Sequence, residues 1–199
     1  MIVAFRNNHR LLSREKHVSN VSATCFHHLR RLRHVWRSLI SESATMLVHA
    51  FVTSRVDYCN VVFTGAPNII TNTLERVLNS AARVVSGTRK FDRSLRQLMH
   101  TELHWLDVPE RVKYKLGVIT CRCLYGSATW YLAVCFVPVS TTASRQHLRS
   151  AAGHQLVIPS HRLTTSGRRA FSVAGPMSWN SLPRTCVTCH ILLLFLDDH

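Results

Sequence analysis

From His17 onward the apolar positions fall into a helical period. Val21, Cys25, Leu29, Leu32, Trp36 and Leu39 recur at spacings of four or three, which predicts one helix of about 20 residues with a single apolar stripe. Trp36 lies on that stripe and is expected in the core. The opposite face carries His27, His28, Arg30, Arg31, Arg33, His34 and Arg37. Residues 1–15 show no clear period. Ser41 reads as an N-cap with Glu42 in the first turn of a second helix, whose apolar positions Met46, Leu47, Ala50 and Phe51 run on through Ser54 towards Tyr58. Gly65-Ala66-Pro67-Asn68 marks a turn. A third helix follows over Ile69–Val85, with an inward stripe of Ile70, Leu74, Val77 or Leu78, Ala81, and Val84 or Val85; Arg76, Asn79 and Arg83 lie off it. Gly87 suits its C-cap. A short helix is expected at Leu95–His100. Pro109 then opens another helix, with Val112, Leu116, Ile119 and Cys123 inward, Arg111, Lys113, Lys115 and Arg122 spread outside, and Gly126 closing it. Trp130, Tyr131 and Leu132 suggest a further half-turn.

The texture changes after Pro138. Residues 139–185 are rich in Ser, Thr, Gly, Pro and Arg, with short strand-like runs at Leu156-Val157-Ile158 and Ala170-Phe171-Ser172-Val173. The expected fold class is therefore mainly α: about four or five helices, then an irregular, partly extended basic segment packed on them through Leu148, Phe171 and Trp179.

Charge narrows the choice of partner. The 199 residues carry 25 Lys+Arg against 10 Asp+Glu, a net +15, and 21 of the 25 bases are Arg. Residues 1–40 hold eight bases and one acid, Glu15, so the first fifth of the chain carries +7 of that excess. Arg presents a planar fork that matches phosphate and stacks on bases. An imbalance this large calls for a polyanion, nucleic acid before an anionic membrane surface. The longest apolar run, Ile191–Leu196, has six residues, far short of the ~18–20 that span a bilayer. Met1–Phe5 is too short for a secretory h-region, so an intracellular setting, nuclear or cytoplasmic, is expected. Most of the seven cysteines (25, 59, 121, 123, 135, 186 and 189) are then expected reduced and buried rather than paired.

Several patterns imitate chemistry without completing it. Phe195-Leu196-Asp197-Asp198 resembles a polymerase aromatic-x-Asp-Asp, but His199 follows directly, leaving no return strand to hold a metal-binding hairpin. Cys186-x-x-Cys189-His190 has the spacing of a haem-attachment or zinc half-site without a second close pair. Cys121-x-Cys123 is too tight for a zinc knuckle. His27 and His34 share a helix face, but the surrounding Arg repels a cation. Gly-x-Ser-x-Gly, P-loop and dinucleotide patterns are absent from the sequence. No cofactor and no metal is expected.

Five blocks carry a family resemblance: "LVHAFVTSRVDYCN" (Leu47–Asn60), "LERVLNSAARVVSGTRKFD" (Leu74–Asp92), "LHWLDVPERVKYK" (Leu103–Lys115), "LRSA" (Leu148–Ala151) and "GRRAFSVAGPMSWNSLP" (Gly167–Pro183). In this order and spacing they resemble the region after the palm of reverse transcriptases from LINE-type (non-LTR) retrotransposons of the jockey-like and chicken-repeat branches. The resemblance spans about residues 16–184. Asp107 and Thr129 stand where the family usually has proline, and the residues after Arg184 leave the pattern. What the resemblance implies is a thumb-like helical bundle over 16–136, a family C-terminal segment over 137–184, and flanks at 1–15 and 185–199 that match poorly. It implies RNA or DNA held by the backbone without base-specific reading. The palm and endonuclease of the parent RNA-directed DNA polymerase are missing, so the chain is expected to be no enzyme by itself. Arg30, Arg31, Arg33, Arg37, Arg76 and Arg83 are the candidate nucleic-acid contacts. Two other expectations stand beside this one: a helical module whose exposed apolar faces take a palm or another protein, and a translated remnant with no selected function.

Overall fold

No proline or glycine precedes Gly65, so nothing breaks a helix early in the chain. In the computed structural model helix α1 accordingly runs Ile2–Val35. It starts well before the periodic stretch at His17, in a segment that holds no Gly or Pro to interrupt it. The structure describes residues 2–88, 94–142, 144, 147, 154–161 and 167–183; for residues 2–13, 37 and 41 it describes the backbone alone. Leu148, the Cys186/Cys189 pair and Asp197-Asp198 lie outside the described residues. The chain is mainly helical and divides into two compact units, Met1–Arg111 and Val112–His199.

In the first unit α1 buries Val18, Ser22, Cys25, Leu29 and Leu32, at spacings of four, three, four and three. The line passes through Val18 and Ser22 rather than Val21, which is half-exposed, and Trp36 is half-buried in a 3-10 turn (Trp36–Ser38). Helix α2 (Ser41–Val48) is entered from Ile40, whose extended backbone occupies the N-cap position. Ser41, expected as the cap, is instead the first helical residue. Helix α2 passes through a π-helical turn (His49–Thr53) into α3 (Ser54–Asp57). Across this run Ala44, Val48, Val52, Thr53 and Val56 are buried, while Met46 and Phe51 are exposed. Of the apolar positions read along this helix, Met46 and Phe51 thus face outward. The wider π turn inserts a residue into the helical count, which rotates every later position and keeps a four-residue spacing on one side.

Helix α4 (Asn68–Ser86) follows the sequence closely. Its buried side is Ile70, Leu74, Val77, Leu78, Ala81, Ala82, Val84 and Val85, and Gly87 ends it in the left-handed conformation (φ 67°). Leu74 and Leu78 are wholly enclosed, each worth roughly 1.5–3 kcal/mol of burial. Helix α1 packs along α4, and α2 and the π turn also lie against it. Helix α5 (Leu95–Thr101) adds Leu95 and Met99 to this core. Helix α6 (Val108–Leu124) begins in this unit with one half of a capping box: the Asp107 backbone N–H donates to Glu110 Oε2 at 3.1 Å. The Val108 N–H donates to Glu75 Oε1 of α4 at 2.7 Å, so α4 satisfies one of the unpaired amides at the start of α6. Asp107 also pairs with Arg96 at 2.5 Å, and Arg111 with Asp57 at 2.8 Å.

The second unit is built on the rest of α6. Val112, Leu116, Cys121 and Cys123 are buried, Ile119 half-buried, and Lys113, Lys115 and Arg122 exposed. Gly126 follows at φ 75°, and α7 (Trp130–Ala133) is the expected half-turn. Leu156 makes one antiparallel bridge with Pro138 and goes no further towards a sheet. Asn180 takes the place of a partner strand: its side chain accepts from the Leu156 N–H and donates to the Leu156 carbonyl, both at 2.9 Å.

The run Ala170–Val173, expected to be strand-like, is instead the start of a helix, α8 (Phe171–Asn180). A short apolar run enclosed on most sides has no period by which strand and helix can be told apart, and here packing decides. Val173, Ala174, Gly175, Pro176 and Trp179 are all buried. Phe136 meets Phe171 edge to face at 5.3 Å. A Cβ built on Gly175 would stand 2.5 Å from Phe136 Cε1, so only glycine lets α8 seat against that ring. Trp179 donates its indole N–H to the His154 carbonyl at 3.0 Å.

Gly175→Ala is therefore expected to overpack this contact and cost about 1–3 kcal/mol in denaturant unfolding. An unchanged midpoint would show that Phe136 can move aside.

Candidate nucleic-acid interface

Burying the Cys25 side of α1 turns the other side to solvent. His27, Arg30, Arg31, Arg33 and His34 are all exposed. Helical rotation puts His27 and His34 at the middle of that face, Arg30 and Arg33 on one flank, and Arg31 with His28 on the other. Among the described residues none of these three arginines pairs with a carboxylate. Arg30 Nε makes a long bond to the Phe26 carbonyl, 3.4 Å, which neutralises nothing. Their guanidinium charge meets no carboxylate among the described residues.

The other predicted contacts fall elsewhere. Arg37 lies in the 3-10 turn after α1, and its side chain is outside the described residues. Arg76 and Arg83 belong to α4. Arg76 is exposed; Arg83 is half-buried, and its Nε is shut from solvent without a hydrogen-bond partner.

Tertiary packing adds two residues that the linear pattern did not single out. His28 stacks on Phe51 of the π turn, with ring centroids 5.1 Å apart and planes 20° from parallel. Phe51 nevertheless stays 41 % exposed. Arg55 of α3, also exposed, reaches the same place electrostatically. Desolvation, then Arg55, His27 and Arg31, hold the His28 imidazole below its usual 6.5. The Phe51 ring is placed there by a π turn that leaves no mark in hydrophobic spacing.

Cys25 is buried, its thiol 3.9 Å from the Val52 carbonyl, and burial pushes that thiol's pKa up, as it does for Cys121 and Cys123. Raised thiols of this kind are poor nucleophiles. Cys59 is exposed. Among the described residues no group of three His, Cys, Asp or Glu could hold a metal ion, and no helix is long and apolar enough to cross a membrane. No protein-family model, curated protein or solved structure matches the chain.

Because the folded state holds His28 below the free imidazole's pKa, the unfolded chain binds the proton better, and stability is lost as pH falls through about 6.5 and below. Arg55→Gln is expected to raise the His28 midpoint in an NMR titration and to lessen that loss. A midpoint that stays in place would show that Arg55 does not act on this ring.

Proposed function

We propose that the chain is the post-palm, thumb-side part of a LINE-type reverse transcriptase and that it grips RNA or DNA through the Arg-rich face of α1, with no catalysis of its own. Five sequence blocks in the family's order support the origin. The observation that carries the binding is the row of exposed, unneutralised guanidinium groups at Arg30, Arg31 and Arg33. Arg76 on α4 adds to the basic surface of the same unit. Such a face meets phosphates by charge and fork geometry and reads no base edge, so affinity is sequence-tolerant and falls with salt.

A second reading has one observation in its favour. Trp130 and Val134 are 79 % and 72 % exposed, with Tyr131 between them at 58 %, an apolar surface suited to a protein partner.

Titration of the full chain against a labelled single-stranded RNA should give a steep negative slope of log affinity against log salt. In Arg30/Arg31/Arg33/Arg37→Ala the slope should flatten by about 0.7 for each phosphate that the variant no longer neutralises. A chain that melts cooperatively, binds no RNA and self-associates in light scattering would reverse the order of the two readings.

A further inference from the structure

The basic face explains a hold on phosphate; it leaves unexplained an aromatic ring kept open beside it. In a helix–helix contact a Phe stacked on a neighbouring ring is ordinarily closed in by packing. Phe51 makes that stack with His28 and still leaves 41 % of its surface accessible. It sits on a π turn, a departure from regular helix often found at functional positions, and that turn carries it out of the core that encloses its neighbours Val52 and Thr53. Every group that acts electrostatically on His28 is basic, Arg55 first and then His27 and Arg31, and each disfavours its protonated form. Burial and these cations hold the imidazole towards its neutral form, which leaves His28 an aromatic surface rather than another fixed charge.

An open aromatic stack ringed by cations suits a ligand that is planar and apolar in one part and anionic in the next. Single-stranded nucleic acid repeats that pairing at every nucleotide: a base stacks on the ring while its phosphate meets guanidinium groups. A duplex cannot use the site, since its bases are already stacked on each other. An acidic protein segment would satisfy the cations but has no regular supply of rings at phosphate spacing.

We propose that the His28–Phe51 pair is a stacking platform for an unpaired base of RNA or DNA, with Arg31 and Arg55 taking the flanking phosphates. This rests on the backbone grip proposed above and assigns it a preference for single strands.

The test uses the full chain and three probes of equal length: an oligothymidylate, an abasic strand with the same phosphates, and the corresponding duplex. Oligothymidylate should bind about tenfold tighter than the abasic strand. Phe51→Ala should remove that advantage while leaving the salt slope as it was. Phe51→Trp should retain it, and its introduced indole should be quenched by oligothymidylate and not by the duplex. The Phe51→Trp arm still decides if Phe51→Ala fails to fold. Equal affinity for the thymidylate and abasic strands, with a normal salt slope, would overturn the platform and leave the grip standing. Absence of salt-dependent binding to all three probes would overturn both.

Discussion

The packing of α1 along α4 is the contact on which the rest depends. Helix α1 has one side that can be buried, the line through Val18, Cys25 and Leu29, and α4 supplies the enclosed surface of Leu74, Leu78 and Ala81. Setting that side down leaves the arginines no choice but solvent. The energetics favour this firmly. Each buried aliphatic side chain contributes roughly 1.5–3 kcal/mol. Repulsion between neighbouring exposed cations is about 1 kcal/mol at close range in water, and salt screens it further. The seam therefore offsets the repulsion of like charges gathered on one face.

The π turn is the second constraint. Between α2 and α3 its wider winding cancels the drift of a four-residue spacing and keeps Val48, Val52 and Val56 on the buried side. The same rotation expels Phe51 onto His28. Packing and site are coupled here: the turn that completes the core also opens the ring. His49, in the same turn, meets Trp105 edge-on at 5.5 Å, which ties the turn to the segment leading into α6.

Sequence patterning was most informative where a helix has one buried side and a firm stop. Helix α4 is the plainest case, with its inward positions and its closing Gly87 both legible in advance. The face of α1 that bears Arg30, Arg31 and Arg33 was equally readable, because a period that fixes the buried side fixes its opposite. Three features were not. The start of α1 has no period to betray it. The π turn after α2 leaves no signal in hydrophobic spacing, yet it sets which of the positions from His49 onward are buried. Helix α8 reads as a strand because the features that make it a helix, the Gly175–Phe136 contact and the Asn180 grip on Leu156, come from distant parts of the sequence. The proposed platform was hidden for a related reason: Phe51 meets His28 only when α1 lies beside the π turn.

Nucleic acid held on the α1 face and the adjoining π turn should leave its mark on those two segments. Ultraviolet crosslinking of the full chain to a single-stranded RNA, followed by mapping of the modified peptides, tests this directly. Crosslinks concentrated in residues 27–34 and 49–55 are the expected result. Crosslinks confined to residues 112–183, with those two segments unmodified, would contradict it.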